Sequence, residues 1–320
     1  MATIYEVAAR AGVSPATVSR WLNGATVSPD KVRRIRQASA ELRFVPNRSA
    51  RRLRSQTSEL IALLVPDIEN PFFGALARGV EDRALAAGYS VVLCNTDDDE
   101  TKETHYFDIA NSENMAGVIL APSAVDGDVQ HLLERGRPVV AIDRHTSADI
   151  DAVRVDNLAA GRLITTAMLD RGYSRVACIA GARDQLVNDD RAHGWLQEMS
   201  GRLDGPADRL LEHANYRADG GRAAMARLLD GDERPEAVIV TNNLMGVGAI
   251  QLLLERGISP TEFGVGLIGE LPYNIHPLEG VVQMELPDRQ LGVTAAGMLL
   301  ERIAGDTQPA RTVVLRCRLL

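Results

Sequence analysis

Val13-Ser14-Pro15-Ala16-Thr17-Val18-Ser19-Arg20-Trp21-Leu22-Asn23 decides how the rest of this 320-residue chain is read. Serine caps helices by accepting a backbone N–H, proline suits the first helical position, and Val18, Trp21 and Leu22 recur at helical spacing. A helix therefore starts at Pro15. Just upstream, Ile4, Val7, Ala8 and Ala11 form a second short apolar stripe, closed by Gly12. Two short helices joined by a tight glycine-containing turn make a helix-turn-helix, whose second member is expected to present Pro15, Ala16, Thr17, Ser19 and Arg20 outward. That face is small, polar and ends in a guanidinium, which suits a major groove. Arg20 can bond O6 and N7 of one guanine, whereas Pro15 and Ala16 can only touch thymine methyls or shape the approach. Tyr5, Ser14, Thr17, Ser19 and Asn23 suit phosphate oxygens.

A third helix is expected from Ser28 as cap, Pro29 and Asp30 in the first turn, and Val32, Ile35, Ala38 and Leu42 as its stripe. Lys31, Arg33, Arg34 and Arg36 occupy the opposite face, either as a solvated surface or, beside a reading helix, as a phosphate grip. The formal net charge of −8 is unusual for a nucleic-acid binder until it is divided along the chain. Residues 1–56 hold eleven Arg or Lys against three acids, a balance of +8, so the remainder carries −16. Such asymmetry is the footprint of a basic DNA-binding module on an acidic body.

From Glu59 the pattern becomes alternating buried strands and amphipathic helices. Strand runs appear at 60–67, 89–96, 116–123, 138–143, 152–157, 175–181, 236–242 and 263–269, with helices between them such as 74–88, 158–171, 218–229, 244–256 and 288–304. This alternation implies doubly wound parallel sheets, and so many strands imply two lobes rather than one sheet. Open sheets of this kind bind ligands beyond the carboxyl ends of their strands. Asp67-Ile68-Glu69-Asn70-Pro71-Phe72-Phe73 follows the first such strand, and Asp143-Arg144 ends another.

No catalytic signature is present: GxGxxG after the first strand, GxxxxGK[ST], HExxH and GxSxG are all missing. The six histidines show no metal-ligand spacing, so neither enzyme activity, nor a metal, nor a cofactor is expected. Cys94, Cys178 and Cys317 are far apart and read as buried, reduced thiols in strands. With no leader-like start and no apolar run of roughly 18 residues, a cytoplasmic protein without membrane contact is expected.

The stretch ATIYEVAARAGVSPATVSRWLNG, followed by SPDKVRRIRQASAELRFVPNRSARRLRS, closely resembles the DNA-binding region of the lactose-repressor (LacI/GalR) family of bacterial transcription regulators. The resemblance covers that segment without a gap and continues in phrases to the C-terminus. It implies a small all-α helix-turn-helix domain (1–45), a hinge helix and linker (46–58), and an effector-binding and dimerisation body (59–320). The body would be α/β, two-lobed and periplasmic-binding-protein-like, with lobe one at about 60–157 and 284–313 and lobe two at about 158–283 and 314–320. Arg51 and Leu53 fall in the hinge, where the resemblance implies a leucine wedge in the minor groove; a helix this short is not stable alone.

The resemblance further implies effector contacts from Asp67, Asn70, Phe72, Phe73, Asp143, Arg144, Arg191, Tyr216, Asn243 and Glu270. Two phrases depart from the family pattern. Asn242-Asn243 stands where Asn-Asp is usual, and Gly269-Glu270-Leu271-Pro272 replaces Gly-Phe/Tyr-Asp-Asp. An amide in place of a carboxylate does not repel an anion, so a sugar acid or sugar phosphate joins neutral sugars as an expected effector. One recognition helix reads few base pairs, so a homodimer on a palindromic operator is expected. An alternative is a body that answers to a protein co-regulator instead of a small molecule.

Overall fold

The computed structural model describes residues 2–22, 25–44, 58–125, 129–182, 190–202, 207–271 and 278–320. Two compact units emerge, Met1–Ser58 and Glu59–Leu320. Asn23, Arg51 and Leu53, and with them the expected hinge helix, lie outside the described residues.

In the first unit, α1 (Ile4–Ala11) starts with a reciprocal cap. Thr3 Oγ1 accepts from Glu6 N at 3.3 Å while Glu6 Oε2 accepts from Thr3 N at 2.7 Å. It ends at Gly12, whose φ of 62° is the left-handed conformation that glycine adopts without strain. After that turn α2 (Pro15–Leu22) begins, with Ser14 Oγ accepting from Thr17 N at 3.2 Å. The third helix, α3 (Pro29–Glu41), opens differently from expectation: Ser28 makes no side-chain capping bond, and the fixed φ of Pro29 suits the first turn in its place. Val7, Ala8, Ala11, Val18, Ile35 and Ala38 form the core, with Trp21, Leu22, Leu42 and Phe44 packed around it.

The second unit carries two six-stranded sheets. The first contains β1 (Leu60–Val65), β2 (Ser90–Asn95), β3 (Gly117–Leu120), β4 (Val139–Ile142), β5 (Asp151–Val155) and β11 (Thr312–Leu315), in the order β11-β5-β4-β3-β1-β2. Its pairings are all parallel. The second contains β6 (Val176–Ala180), β7 (Leu211–His213), β8 (Ala237–Val240), β9 (Gly264–Ile268), β10 (Val281–Glu285) and β12 (Arg318–Leu319), in the order β12-β10-β9-β8-β6-β7. Only β12 runs antiparallel to its neighbour there. Continuous apolar runs such as Leu-Ile-Ala-Leu-Leu-Val in β1 are buried because helices cover both faces. The chain passes between the lobes after β5, after β10 and after β11.

Helices α4 (Pro71–Ala86), α5 (Glu100–Ser112), α6 (Gln130–Leu133) and α11 (Asp288–Ile303) belong to the first lobe. The second lobe holds α7 (Asn157–Asp170), α8 (Asp190–Met199), α9 (Ala218–Asp230) and α10 (Asn243–Glu255). Three helix pairs touch backbone to backbone through reciprocal glycines. A Cβ on Gly79 of α4 would stand 2.2 Å from Arg289 O, and one on Gly292 of α11 would stand 2.1 Å from Leu76 O. Gly161 and Gly194 do the same for α7 and α8, and Gly221 and Gly248 for α9 and α10. The second of these contacts fixes where the start of α8, and so Arg191, can lie.

Cys94 and Cys178 are buried in strands as expected, but Cys317 is only partly buried and sits in the turn between β11 and β12, where the chain changes sheets. No helix among the described residues is long and apolar enough to cross a membrane.

Candidate functional site

In the N-terminal unit the exposed surface of α2 carries Ser14, Pro15, Ala16 and Arg20, with Ser19 half-buried beside them. Thr17 departs from expectation. It is only 7 % exposed, and its hydroxyl lies 2.9 Å from Ser14 Oγ. At about 100° per residue the position before Val18 still faces the core, so Thr17 closes the helix start and does not point outward. Tyr5 projects from α1 at 71 % exposure. Of the basic residues on α3, Arg33 and Arg34 pair with Asp30 at 2.7 and 3.3 Å, and Arg10 of α1 pairs with Glu41 at 2.5 Å. The basic face is therefore partly neutralised from within, whereas Arg20 keeps an exposed guanidinium at the end of the reading helix.

In the second unit a cavity of about 300 Å³ opens between the lobes at the carboxyl ends of both sheets. That volume falls at the lower end of small-molecule sites. Asp67, Asn70, Phe72, Phe73, Asp143 and Arg144 line it from the first lobe, and Arg191, Tyr216 and Asn243 from the second. Glu270 does not: it is exposed and outside the lining, because the left-handed turn at Gly269 (φ 104°) ends β9 and leads the chain away. Sequence reasoning missed Asp97, Asp98, Asn157, Asp190, Arg217 and Asn242, all of which face the cavity. The rule that found Asp67 and Asp143 could have found Asp97 and Asp98, which follow β2.

Four of the six residues other than glycine with left-handed backbone among the described residues stand on this wall: Asp97 (φ 53°), Asp98 (57°), Asp143 (64°) and Tyr216 (61°). Backbone held in that region concentrates at functional sites, where the surrounding bonds over-determine it. Tyr216 is held in this way. Its carbonyl accepts from Asn242 Nδ2 at 3.0 Å, and its ring lies over Gly181, where any Cβ would come within 1.9 Å of Cζ. Phe72 and Phe73 meet edge to face, with centroids 5.0 Å apart.

Five aspartates (67, 97, 98, 143, 190) and three arginines (144, 191, 217) line the cavity. Arg144 forks onto both carboxylate oxygens of Asp98 and donates to Pro122 O at 3.2 Å. Burial works against its charge, but Asp98 and the nearby Asp143 outweigh this and hold it above its ordinary value. Asp97 is held below the usual carboxylate range by Lys102 and Asn95. Arg191 donates to Asn157 Oδ1 at 2.8 Å and to Thr241 O at 2.6 Å.

The first residue of α7, α8 and α10, and the residue just before α4 and α9, line the cavity, and Asp98 does so two residues before α5. Each helix start contributes roughly half a positive charge, so the surplus of carboxylates sits in a compensating field. What results is a wall of closely spaced donors and acceptors, near electrical balance, with three aromatic rings.

Residues 3–47 match the family model described as bacterial regulatory proteins, lacI family. Residues 58–320 match the one described as periplasmic binding proteins and sugar binding domain of LacI family. The ribose operon repressor of Halalkalibacterium halodurans is 32% identical over 305 residues, covering 95% of this chain and 91% of the relative. A solved complex of the transcriptional regulator CelR with cellobiose is 27% identical, with a TM-score of 0.74, covering 100% of this chain and 98% of the other. The lac repressor dimer bound to operator and the anti-inducer ONPF shares the fold at a TM-score of 0.87 and 22% identity, covering 100% of this chain and 97% of the other.

Proposed function

Because the chain belongs to the LacI family of DNA-binding transcriptional regulators, we propose that it is a repressor of a carbohydrate-related operon whose grip on DNA is set by a sugar held between the lobes. The observation that carries this reading is the cavity wall, where carboxylates, guanidiniums and amides interleave beside Phe72, Phe73 and Tyr216. A sugar hydroxyl is donor and acceptor at once, so it pairs with such a wall at every contact.

The balance of five carboxylates to three arginines, with Arg144 and Arg217 engaged by carboxylates, favours a neutral sugar over a sugar acid or sugar phosphate. D-ribose and cellobiose are the first probes, since relatives are named for the ribose operon or solved with cellobiose. The protein acts in the cytoplasm as a homodimer, which gives two reading helices to a palindromic operator. Arg20 reads a guanine in each half-site, Tyr5, Ser14 and Ser19 face phosphates, and Pro15 and Ala16 fit the groove.

Ligand and DNA then act as coupled binders. The sugar prefers one lobe arrangement, that arrangement changes operator affinity, and DNA alters sugar affinity by the same factor. Capture of genomic fragments with and without each sugar is the test. Enrichment of a palindrome that a neutral sugar changes supports the reading; enrichment that answers only to acids or phosphates rejects the neutral effector, and enrichment indifferent to every small molecule points to a protein co-regulator.

A further inference from the structure

Polar side chains meet across the lobes at two places beside the cavity. Arg217 Nη1 donates to Glu69 Oε2 at 2.7 Å and its Nη2 lies 3.2 Å from Asp67 Oδ2, while His145 Nε2 lies 3.7 Å from Asp190 Oδ2. Resting on the reading of the cavity as a sugar site, we propose that Arg217 is a closing strap between the lobes and not an arginine that grips the ligand.

Three features separate these roles. Both terminal nitrogens of Arg217 face carboxylates of the opposite lobe. Its tighter partner, Glu69, is 73% exposed and does not line the cavity, so that bond belongs to the rim and not to the ligand space. Both ends of the strap are rooted in stiff turns. On the second lobe Arg217 N donates to Asn215 Oδ1 at 3.1 Å, next to the left-handed Tyr216 that Asn242 holds. On the first lobe Asp67 Oδ1 accepts from Glu69 N at 2.9 Å, and Ile68 N donates to Asn95 Oδ1 at 2.9 Å. With both turns tied, parting of the lobes breaks this contact without either turn giving way. Glu69, then Asp67, hold the Arg217 guanidinium above its ordinary value, the direction expected of a charge that gains partners.

Arg217 is 49% exposed, so solvent screens the strap and its effect is modest. Removing it should weaken sugar binding by about 1.4- to fivefold, the span measured for exposed pairs. The effect should vanish in about 1 M salt, where screening acts within a few ångströms.

Glu69→Gln, Arg217→Gln and the double variant of the full chain would be titrated with D-ribose by calorimetry. A strap predicts that Glu69→Gln loses affinity, though less than Arg217→Gln because Asp67 still faces Nη2, and that the double variant loses no more than Arg217→Gln. Loss confined to Arg217→Gln makes it a ligand contact and overturns the proposal, as do additive losses. A second measurement decides the matter even where D-ribose does not bind, an outcome that counts against that sugar alone. Spin labels at the exposed positions 135 in the first lobe and 232 in the second report the lobe separation. With unlabelled chain in excess, both single variants should move population to longer distances. A distribution identical to that of the unsubstituted protein overturns the strap.

Discussion

Replacing Gly161 by alanine tests whether close helix packing seats the cavity's arginine. A Cβ at position 161 would lie 2.0 Å from Arg191 O, 2.8 Å from its C and 3.0 Å from its Cα. Non-bonded carbon and oxygen do not approach within about 3 Å, so the start of α8 must retreat by about 1 Å. The reciprocal contact, Gly194 against Leu158 O at 2.4 Å, leaves no room for α7 to absorb the shift by sliding. Overpacking of this kind costs about 1–3 kcal/mol of stability. The Arg191 bonds to Asn157 and Thr241, at 2.8 and 2.6 Å, would stretch past hydrogen-bonding range unless the side chain rearranged. On the proposal that Arg191 also donates to the sugar, a bond from a charged donor is worth about 1.5–3 kcal/mol, so its displacement should lower sugar affinity by roughly tenfold or more. Thermal unfolding followed by calorimetric titration with D-ribose reads both effects. Gly74→Ala is the control: nothing lies within 4 Å of its added Cβ, so replacing this first-turn glycine should stabilise by at most about 0.5–1 kcal/mol. If Gly161→Ala melts and binds like the unsubstituted chain, the α7–α8 approach is not what places Arg191.

Asp151, 1% exposed, takes both arms of the Arg302 fork at 2.8 Å and the Arg311 N–H at 2.9 Å. Asp151→Ala should therefore cost about 3–5 kcal/mol in urea unfolding, because a partly buried guanidinium loses its counter-charge. Burial alone would raise the Asp151 carboxyl, but Arg302 and the Arg311 amide outweigh it and hold the group below its usual value of 3.8. The contribution is thus complete above that value and is lost as pH falls through the lowered one, so acid unfolding profiles should differ between Asp151→Ala and the parent only above that fall. Burial pushes the Cys94 and Cys317 thiols up to about 11, so Cys94 should ignore a disulfide reagent at neutral pH in the folded protein and react in denaturant, with the partly buried Cys317 reacting slowly; rapid native reaction at Cys94 would contradict its burial. Arg20→Ala should cost about 1–3 kcal/mol on the operator and relax one base pair per half-site, whereas equal loss on every duplex would mean a phosphate contact.

What could be read from sequence follows physical strength of signal. β1, β4 and β8 are buried on both faces and announce themselves as unbroken apolar runs. β7 and β12 span three and two residues and are half-buried at sheet edges, too short for periodicity to register. α5 is equally opaque, since Glu103 near its start and Asn111 near its end are polar yet buried on its inner face, and Glu103 accepts from Ser123 N at 2.8 Å. At the cavity, residues directly after strands were legible. Asp97 and Asp98 were hidden in an acidic run that reads as a solvated turn, and Arg217 in a loop whose backbone direction depends on the left-handed Tyr216. Glu270 shows the opposite error: a contact implied by the family's phrase falls on a residue that the turn at Gly269 takes out of the lining.

The distribution of stiffness within the body bears on how a sugar could be felt by DNA. Asn70, Asp99, Asp156 and Asn242 cap helices that start at or just behind the cavity, and the left-handed turns are tied by side-chain bonds, so each half of the wall is preset before a ligand arrives. Ordering loops would then absorb little of the binding energy, and the coordinate left to respond is the angle between lobes joined by three crossings. Allosteric couplings are commonly 5- to 150-fold, roughly 1–3 kcal/mol. A screened contact such as Arg217–Glu69 reaches at most the bottom of that span, so it tunes the closure equilibrium without driving it. The larger share must come from sugar hydroxyls bridging carboxylates and amides of both lobes at once, because those are the contacts that exist in one lobe arrangement and not in the other.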